Sequence, residues 1–285
     1  EIKTKKACRD PEGLQSLIGR VIIKKKKDFA SSDGTILSGQ ERIDFTERFK
    51  LIISKYNLAA GSKDRIIDAM SAIVKKEQNF TTPCYETICE ELVVRESQKY
   101  FEALGSRAQL RLIEEDGLTE ATKKIVTKIN LTFVLRGLST ERIVKIFENL
   151  KKFSNLTHLD LSDNWLGGKV EAVKAFAQAL ENLTHLDLNG NNLGENVEVA
   201  KAFAQALEKL ENLTRLGLGD NKLGRKVEAT KAFAQALKPL LKITYLDLSC
   251  NNLGENVEAT KAFAPALKLL VNLKDLDLSD NHFSN

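Results

Sequence analysis

Leu156-Thr-His-Leu-Asp-Leu-Ser-Asp-Asn-Trp-Leu166 returns, with few changes, from Leu183, Leu213, Ile243 and Leu273. Each recurrence holds an asparagine at its ninth place: Asn164, Asn191, Asn221, Asn251 and Asn281, spaced 27, 30, 30 and 30 residues apart. A fixed step of this length predicts a solenoid, in which each unit buries its apolar face only against its neighbours. Positions one, four, six and eleven are apolar and point inward from a short strand and the turn after it. The asparagine has both a donor and an acceptor for backbone groups in that buried turn. Stacked coil on coil, the five form a ladder, and losing one rung should cost about 1–3 kcal/mol.

After each turn comes a nearly constant Val-Glu-Ala-x-Lys-Ala-Phe-Ala-Gln-Ala-Leu. Ala172, Phe176, Ala179 and Leu180 are spaced to share one helix face. Small alanines let adjacent helices stack, and one phenylalanine per coil fills the space between helix and strand. Glu171, Lys174 and Gln178 fall outward. Gly167, Gly194, Gly224 and Gly254 follow the turn and suit a positive φ there. Pro265 replaces the glutamine in the last helix and should kink it or shorten its start. The pattern LxxLxLxxNxL followed by a helix resembles the leucine-rich repeat, and the period near 30 resembles its ribonuclease-inhibitor type. The resemblance implies an α/β solenoid, with parallel strands on a concave face and helices on the convex one.

The frame extends one step upstream. Val126-Thr-Lys-Ile-Asn-Leu-Thr-Phe-Val134 lies 30 residues before the first full phrase, with Val134 at the anchor and a helix signal from Ser139. Residues 119–154 therefore read as a degenerate first repeat before the regular repeats of 155–285. No Pro-, Gly- or Ser-rich spacer precedes it, which favours a rigid junction. Residues 1–118 read as an all-helical domain. Helices are expected over Asp10–Asp28, from the capping box Ser38-Gly-Gln-Glu41, from Ser62 with Ile66, Met70 and Ile73 inward, from Thr82 to about Leu104, and over Arg107–Glu115. At the other end the last phrase has a strand and no helix, so its apolar edge is left for further chain, a partner or self-association.

Composition narrows the function. Net charge is +4, and the halves are balanced, with 23 Lys+Arg against 20 Asp+Glu in residues 1–125 and 20 against 19 beyond. Neither half is a basic nucleic-acid domain. The run Lys24–Lys27 reads as a solvated helix end. No apolar run reaches the roughly 18 residues of a membrane span, and the first residues carry no signal-peptide pattern. Cys8, Cys84, Cys89 and Cys250 fit no zinc spacing and do not flank the repeats as disulfide caps would. Free thiols in an intracellular, reducing compartment are the expectation. No catalytic constellation is present: the three histidines all lie in repeats, and no cofactor is implied.

What remains is the set of non-leucine positions, which fall into columns across the concave face. The third column reads Lys128, His158, His185, Arg215, Tyr245, Asp275, and the fifth Asn130, Asp160, Asp187, Gly217, Asp247, Asp277. Position eight adds Asp163, Asp220 and Asp280. An acidic column beside a cationic-to-aromatic one suggests a protein partner with a basic surface. Aspartate at position five is also common repeat grammar that duplication alone would copy. Gly217 interrupts the acidic column and should leave room for a bulky partner side chain. His158, Asp160, His185 and Asp187 could converge on a metal, but repeat copying explains them as well and no metal is expected. Trp165 is a candidate exposed anchor.

The expectation is a non-enzymatic protein-binding module. Regular repeats without disulfide caps, in a Lys/Asn/Ile-rich chain, are similar to those of effectors that intracellular bacterial pathogens deliver into host cells. That resemblance implies action in the host cytosol on a host or sister bacterial protein. The alternative is a repeat that reads substrates for a helical enzymatic or enzyme-recruiting domain. Nucleic acid is disfavoured by the acidic inner face.

Overall fold

A computed structural model describes residues 41–76, 82–176 and 182–283. The expected helix over Asp10–Asp28, the Lys24–Lys27 run and Cys8 lie outside the described residues. The chain forms two compact units, one running to Ala103 and including Leu118–Ile125, the other comprising Leu104–Gly117 and the chain from Val126.

The first unit contains α1 (Glu41–Ser54), α2 (Ser62–Lys76), α3 (Thr82–Glu102) and α5 (Glu120–Ile125). Gly61 separates α1 from α2 at φ 76°, a conformation glycine adopts without a Cβ clash. Ile66, Met70 and Ile73 recur on one face of α2 and pack with Phe49, Ile52 and Ile53 of α1 and with Tyr85, Ile88, Leu92 and Val93 of α3. A polar knot ties the α1–α2 connection to α5. The Asn57 N–H donates to Thr122 Oγ1 at 2.8 Å, and the Thr119 N–H donates to Asn57 Oδ1 at 2.8 Å.

The second unit is built on six parallel strands in sequential order: β1 (Lys128–Asn130), β2 (His158–Asp160), β3 (His185–Asp187), β4 (Arg215–Gly217), β5 (Tyr245–Asp247) and β6 (Asp275–Asp277). Between them run α6 (Thr140–Leu150), α7 (Val170–Phe176), α8 (Val197–Leu207), α9 (Val227–Leu237) and α10 (Val257–Leu269). Lys128 pairs with His158 in the same register as every later step, so β1 continues the sheet one strand upstream of the first full phrase. The 27-residue step does not disturb the register either. Its three missing residues fall between Leu180 and Leu183, which are separated by two residues where the next coil has five between Leu207 and Leu213.

Asparagine side chains hold the turns. Asn221 Oδ1 accepts from the Asn191 and Leu193 N–H groups at 3.1 and 3.3 Å, and its Nδ2 donates to Leu188 O and Gly219 O at 2.9 and 3.0 Å. Each side chain thus binds its own coil to the preceding one, and all five asparagines are at most 2% exposed. Inside, Phe147, Phe176 and Phe203 form a run of tilted contacts with centroids 5.5 and 5.4 Å apart.

Two expectations are corrected. Gly167, Gly194, Gly224 and Gly254 do not have positive φ. A Cβ there would lie 2.2–2.4 Å from the next coil's backbone oxygen at Asn192, Lys222, Asn252 or His282. They are glycines because coils approach backbone to backbone. The left-handed conformations fall instead on either side of the anchor asparagine, for example Asp163 and Trp165, Asp220 and Lys222, or Cys250 and Asn252. Pro265 does not shorten the last helix. α10 starts at the same repeat position as α9 and is two residues longer, 13 against 11.

Helix α4 (Ser106–Glu114) belongs to this unit and closes its first edge. Gln109 Oε1 accepts the Asn130 N–H at 2.8 Å, and Ser106 Oγ donates to Asn130 Oδ1 at 2.7 Å. Asn149 Nδ2 donates to Ile113 O at 2.8 Å, while Arg142 grips Glu114 through two bonds of 2.6 and 2.9 Å. That guanidinium holds the Glu114 carboxyl below the usual range.

Candidate protein-binding face

On a three-residue strand the middle leucine points into the coil and its two neighbours point to the open face. Strand pairing aligns both columns residue by residue. Lys128, His158, His185, Arg215, Tyr245 and Asp275 are successive partners, as are Asn130, Asp160, Asp187, Gly217, Asp247 and Asp277.

The two columns have different tasks. Each aspartate of the fifth column turns one carboxylate oxygen onto the backbone two residues ahead. Ser162, Asn189, Ser249 and Ser279 donate their N–H groups to Asp160, Asp187, Asp247 and Asp277, each at 2.9 Å. These aspartates therefore cap the turn as well as charge the face. Asp247 is only 8% exposed. Burial raises the Asp187 carboxyl, opposed by the Asn189 N–H and helped by repulsion from Asp160, Asp247 and Asp163. Hydrogen bonds from Ser279 lower Asp277, which is exposed in the last coil.

The third column presents its side chains more freely. Lys128, Arg215 and Asp275 are exposed, while His158, His185 and Tyr245 are half-buried. The two imidazoles stack with centroids 3.9 Å apart, and the Arg215 guanidinium lies 4.1 Å from the centre of the Tyr245 ring. Among the described residues no group of three or more His, Cys, Asp or Glu is arranged to hold a metal.

Gly217 leaves no open notch. Asn189 fills the gap: its Oδ1 accepts the Gly219 N–H at 2.6 Å, and its Nδ2 crosses the glycine coil to donate to Asp247 Oδ2 at 2.9 Å. A Cβ on Gly217 would lie 2.7 Å from Asp187 Oδ1 and 2.8 Å from Asn189 Oδ1. The glycines of this coil let one side chain tie three coils together.

On the rim, Asp220 and Asp280 are exposed, while Asp163 pairs with Arg136 at 3.2 Å. Trp165 is 57% exposed, and beside it lies a contributor the sequence reading missed. The Arg136 guanidinium is 4.2 Å from the Trp165 ring centre and 3.7 Å from that of Phe133, itself 58% exposed. Both aromatics have left-handed backbone, at φ 55° and 67°. Next to Trp165 is an open depression lined by Gly167, Gly168, Asn192, Glu195 and Asn196. The first turn is shifted relative to the frame. Leu135, not the residue at the eleventh position, is the buried apolar group, and its N–H donates to Asn164 Oδ1 at 2.7 Å. This frees Arg136 to lie over the rings.

Comparison with curated proteins gives no match. Among solved structures the chain is similar to the leucine-rich repeat-containing protein LegL7 from Legionella pneumophila, with 19% identity, 63% of this chain and 71% of that one covered, and a TM-score of 0.33. The family model described as "Leucine Rich repeat" matches residues 154–169, 179–195 and 241–255. With its asparagine ladder and six registered coils, the second unit is an α/β solenoid whose repeats are similar to that family's.

Proposed function

We propose that the repeat unit is a non-enzymatic binding module that grips a protein partner on its concave face. The supporting observation is the registered pair of columns. One is a row of cationic and aromatic side chains; the other is a row of carboxylates bordered by the exposed rim residues Asp220 and Asp280. Such an arc suits a partner carrying a basic ridge, drawn in by complementary potential and oriented by the contrast between columns. His158, His185, Arg215 and Tyr245 would supply contact area, and the carboxylates register.

The described cysteines support a non-catalytic reading. Burial pushes the Cys89 thiol up to about 12, and burial with neighbouring Asp280, Asp220, Asp247 and Asp277 raises that of Cys250. A nucleophile needs the opposite shift. Free thiols and regular repeats without disulfide caps support a reducing compartment. By resemblance, they also support an effector that scaffolds or sequesters a host or sister bacterial protein in the host cytosol.

The test uses carboxylates that do not hold turns. Asp220→Lys combined with Asp275→Lys should abolish affinity capture of the partner identified by mass spectrometry, with the melting temperature retained. Undiminished capture would remove the concave face from the interaction.

A further inference from the structure

His158 and His185 are cross-strand partners on β2 and β3, their rings stacked with 16° between planes. Each ring is tethered through Nδ1, to Thr157 Oγ1 at 2.8 Å and to Thr184 Oγ1 at 2.9 Å. Both hydroxyls donate their own proton to a carbonyl of the preceding coil, Thr127 O and Thr157 O, each at 3.1 Å. A hydroxyl whose proton is committed can only accept from the ring, so Nδ1 carries the hydrogen and Nε2 is the atom that titrates.

The charges around the pair come from every neighbouring strand. Lys128 on β1 and Arg215 on β4 flank it in the same column. Asp160 on β2 and Asp187 on β3 occupy the next column, with Asp163 and Asp220 on the rim beyond. Burial lowers His158, with Lys128 adding to the shift. Burial also lowers His185, with His158, Arg215 and Lys128 contributing. At neutral pH the column thus holds two separated cations with a neutral aromatic pair between them. Acidification turns it into an unbroken row of four.

We propose that the stacked histidine pair makes the concave face's hold on a basic partner depend on pH, so that the partner is released as the medium acidifies. This rests on the concave-face reading above. A cationic partner prefers the unprotonated pair, and by linkage its binding opposes protonation. Affinity is therefore full above the ordinary histidine range and falls as pH drops through the lowered values. Asp187, raised by burial, acts in the same direction at lower pH and must be separated from the histidines by mutation.

The experiment measures the Kd of a fluorescein-labelled octalysine peptide for the full chain between about pH 8 and 5. The expected result is a loss of about tenfold between about pH 7.5 and 5.5, with His158→Gln/His185→Gln flat to within about twofold. The glutamine amide can still donate to the threonine hydroxyl, which guards the fold. A pH-independent wild type, or a double variant with the wild-type slope, overturns the proposal. If Asp220→Lys/Asp275→Lys leaves peptide binding at pH 7.5 unchanged, the basic-partner reading falls and the switch with it. Imidazole nitrogen resonances supply a second readout. His158→Gln should move the His185 titration upward, and an unchanged His185 would also overturn the coupling.

Discussion

At β1 the sheet edge is closed by Gln109, Ser106 and the rest of α4, and the strand's leucine-position residue, Ile129, is 2% exposed. At β6 the equivalent Leu276 is 39% exposed, and Asp275 and Asp277 beside it are exposed too. Interior coils pass the Leu188, Leu218 and Leu248 N–H groups to carbonyls of the next coil at 2.9 Å each. Among the described residues Leu278 has no such acceptor. The same eleven-residue grammar therefore gives a buried unit or a solvated one according to what lies against it. In a repeat protein, stability belongs to interfaces between coils more than to coils.

Mutations matched across the array can break that contrast. Leu246 is fully buried, and Leu246→Ala should cost about 3–4 kcal/mol in urea denaturation. Asn221→Ala should cost about 2–3 kcal/mol, because two backbone N–H groups and two carbonyls lose their partner together. Gln109→Ala removes the closure of the first edge and should cost about 1–2 kcal/mol, with faster amide exchange at Asn130 as its local signature. Leu276→Ala, at the open edge, should cost less than about 1 kcal/mol. Equal losses at Leu246 and Leu276 would show that the last coil is covered in solution. A silent Gln109→Ala would show that α4 does not stabilise the first edge.

Features that repeat were legible in the sequence, because a period exposes any residue whose task is copied. The asparagine ladder, the phenylalanine run and both columns were readable this way, and the extra coil at Val126 followed from frame alone. Features depending on a departure from the period were not. Asn189 reaches Asp247 across a coil whose positions five and seven are both glycine, a contact that no single repeat contains. Arg136 reaches Trp165 only because the first turn places Leu135 inside one position early. The repeat glycines were recognised by position but given the wrong reason. Sequence marks where a side chain is absent without distinguishing a backbone that turns from one that is pressed against its neighbour. The aspartates show the same limit, since their charge is visible in the sequence and their turn-capping bond is not.

The ladder also has a mechanical consequence. Each asparagine side chain serves its own turn and the turn before it, so a coil detached from the C-terminal side takes with it the acceptor on which its predecessor depends. Under tension applied at that side, the array should unspool one coil at a time, each releasing roughly 100 Å of chain at about 3.5 Å per residue. The pull then meets Gln109 and α4, where the force needed should rise.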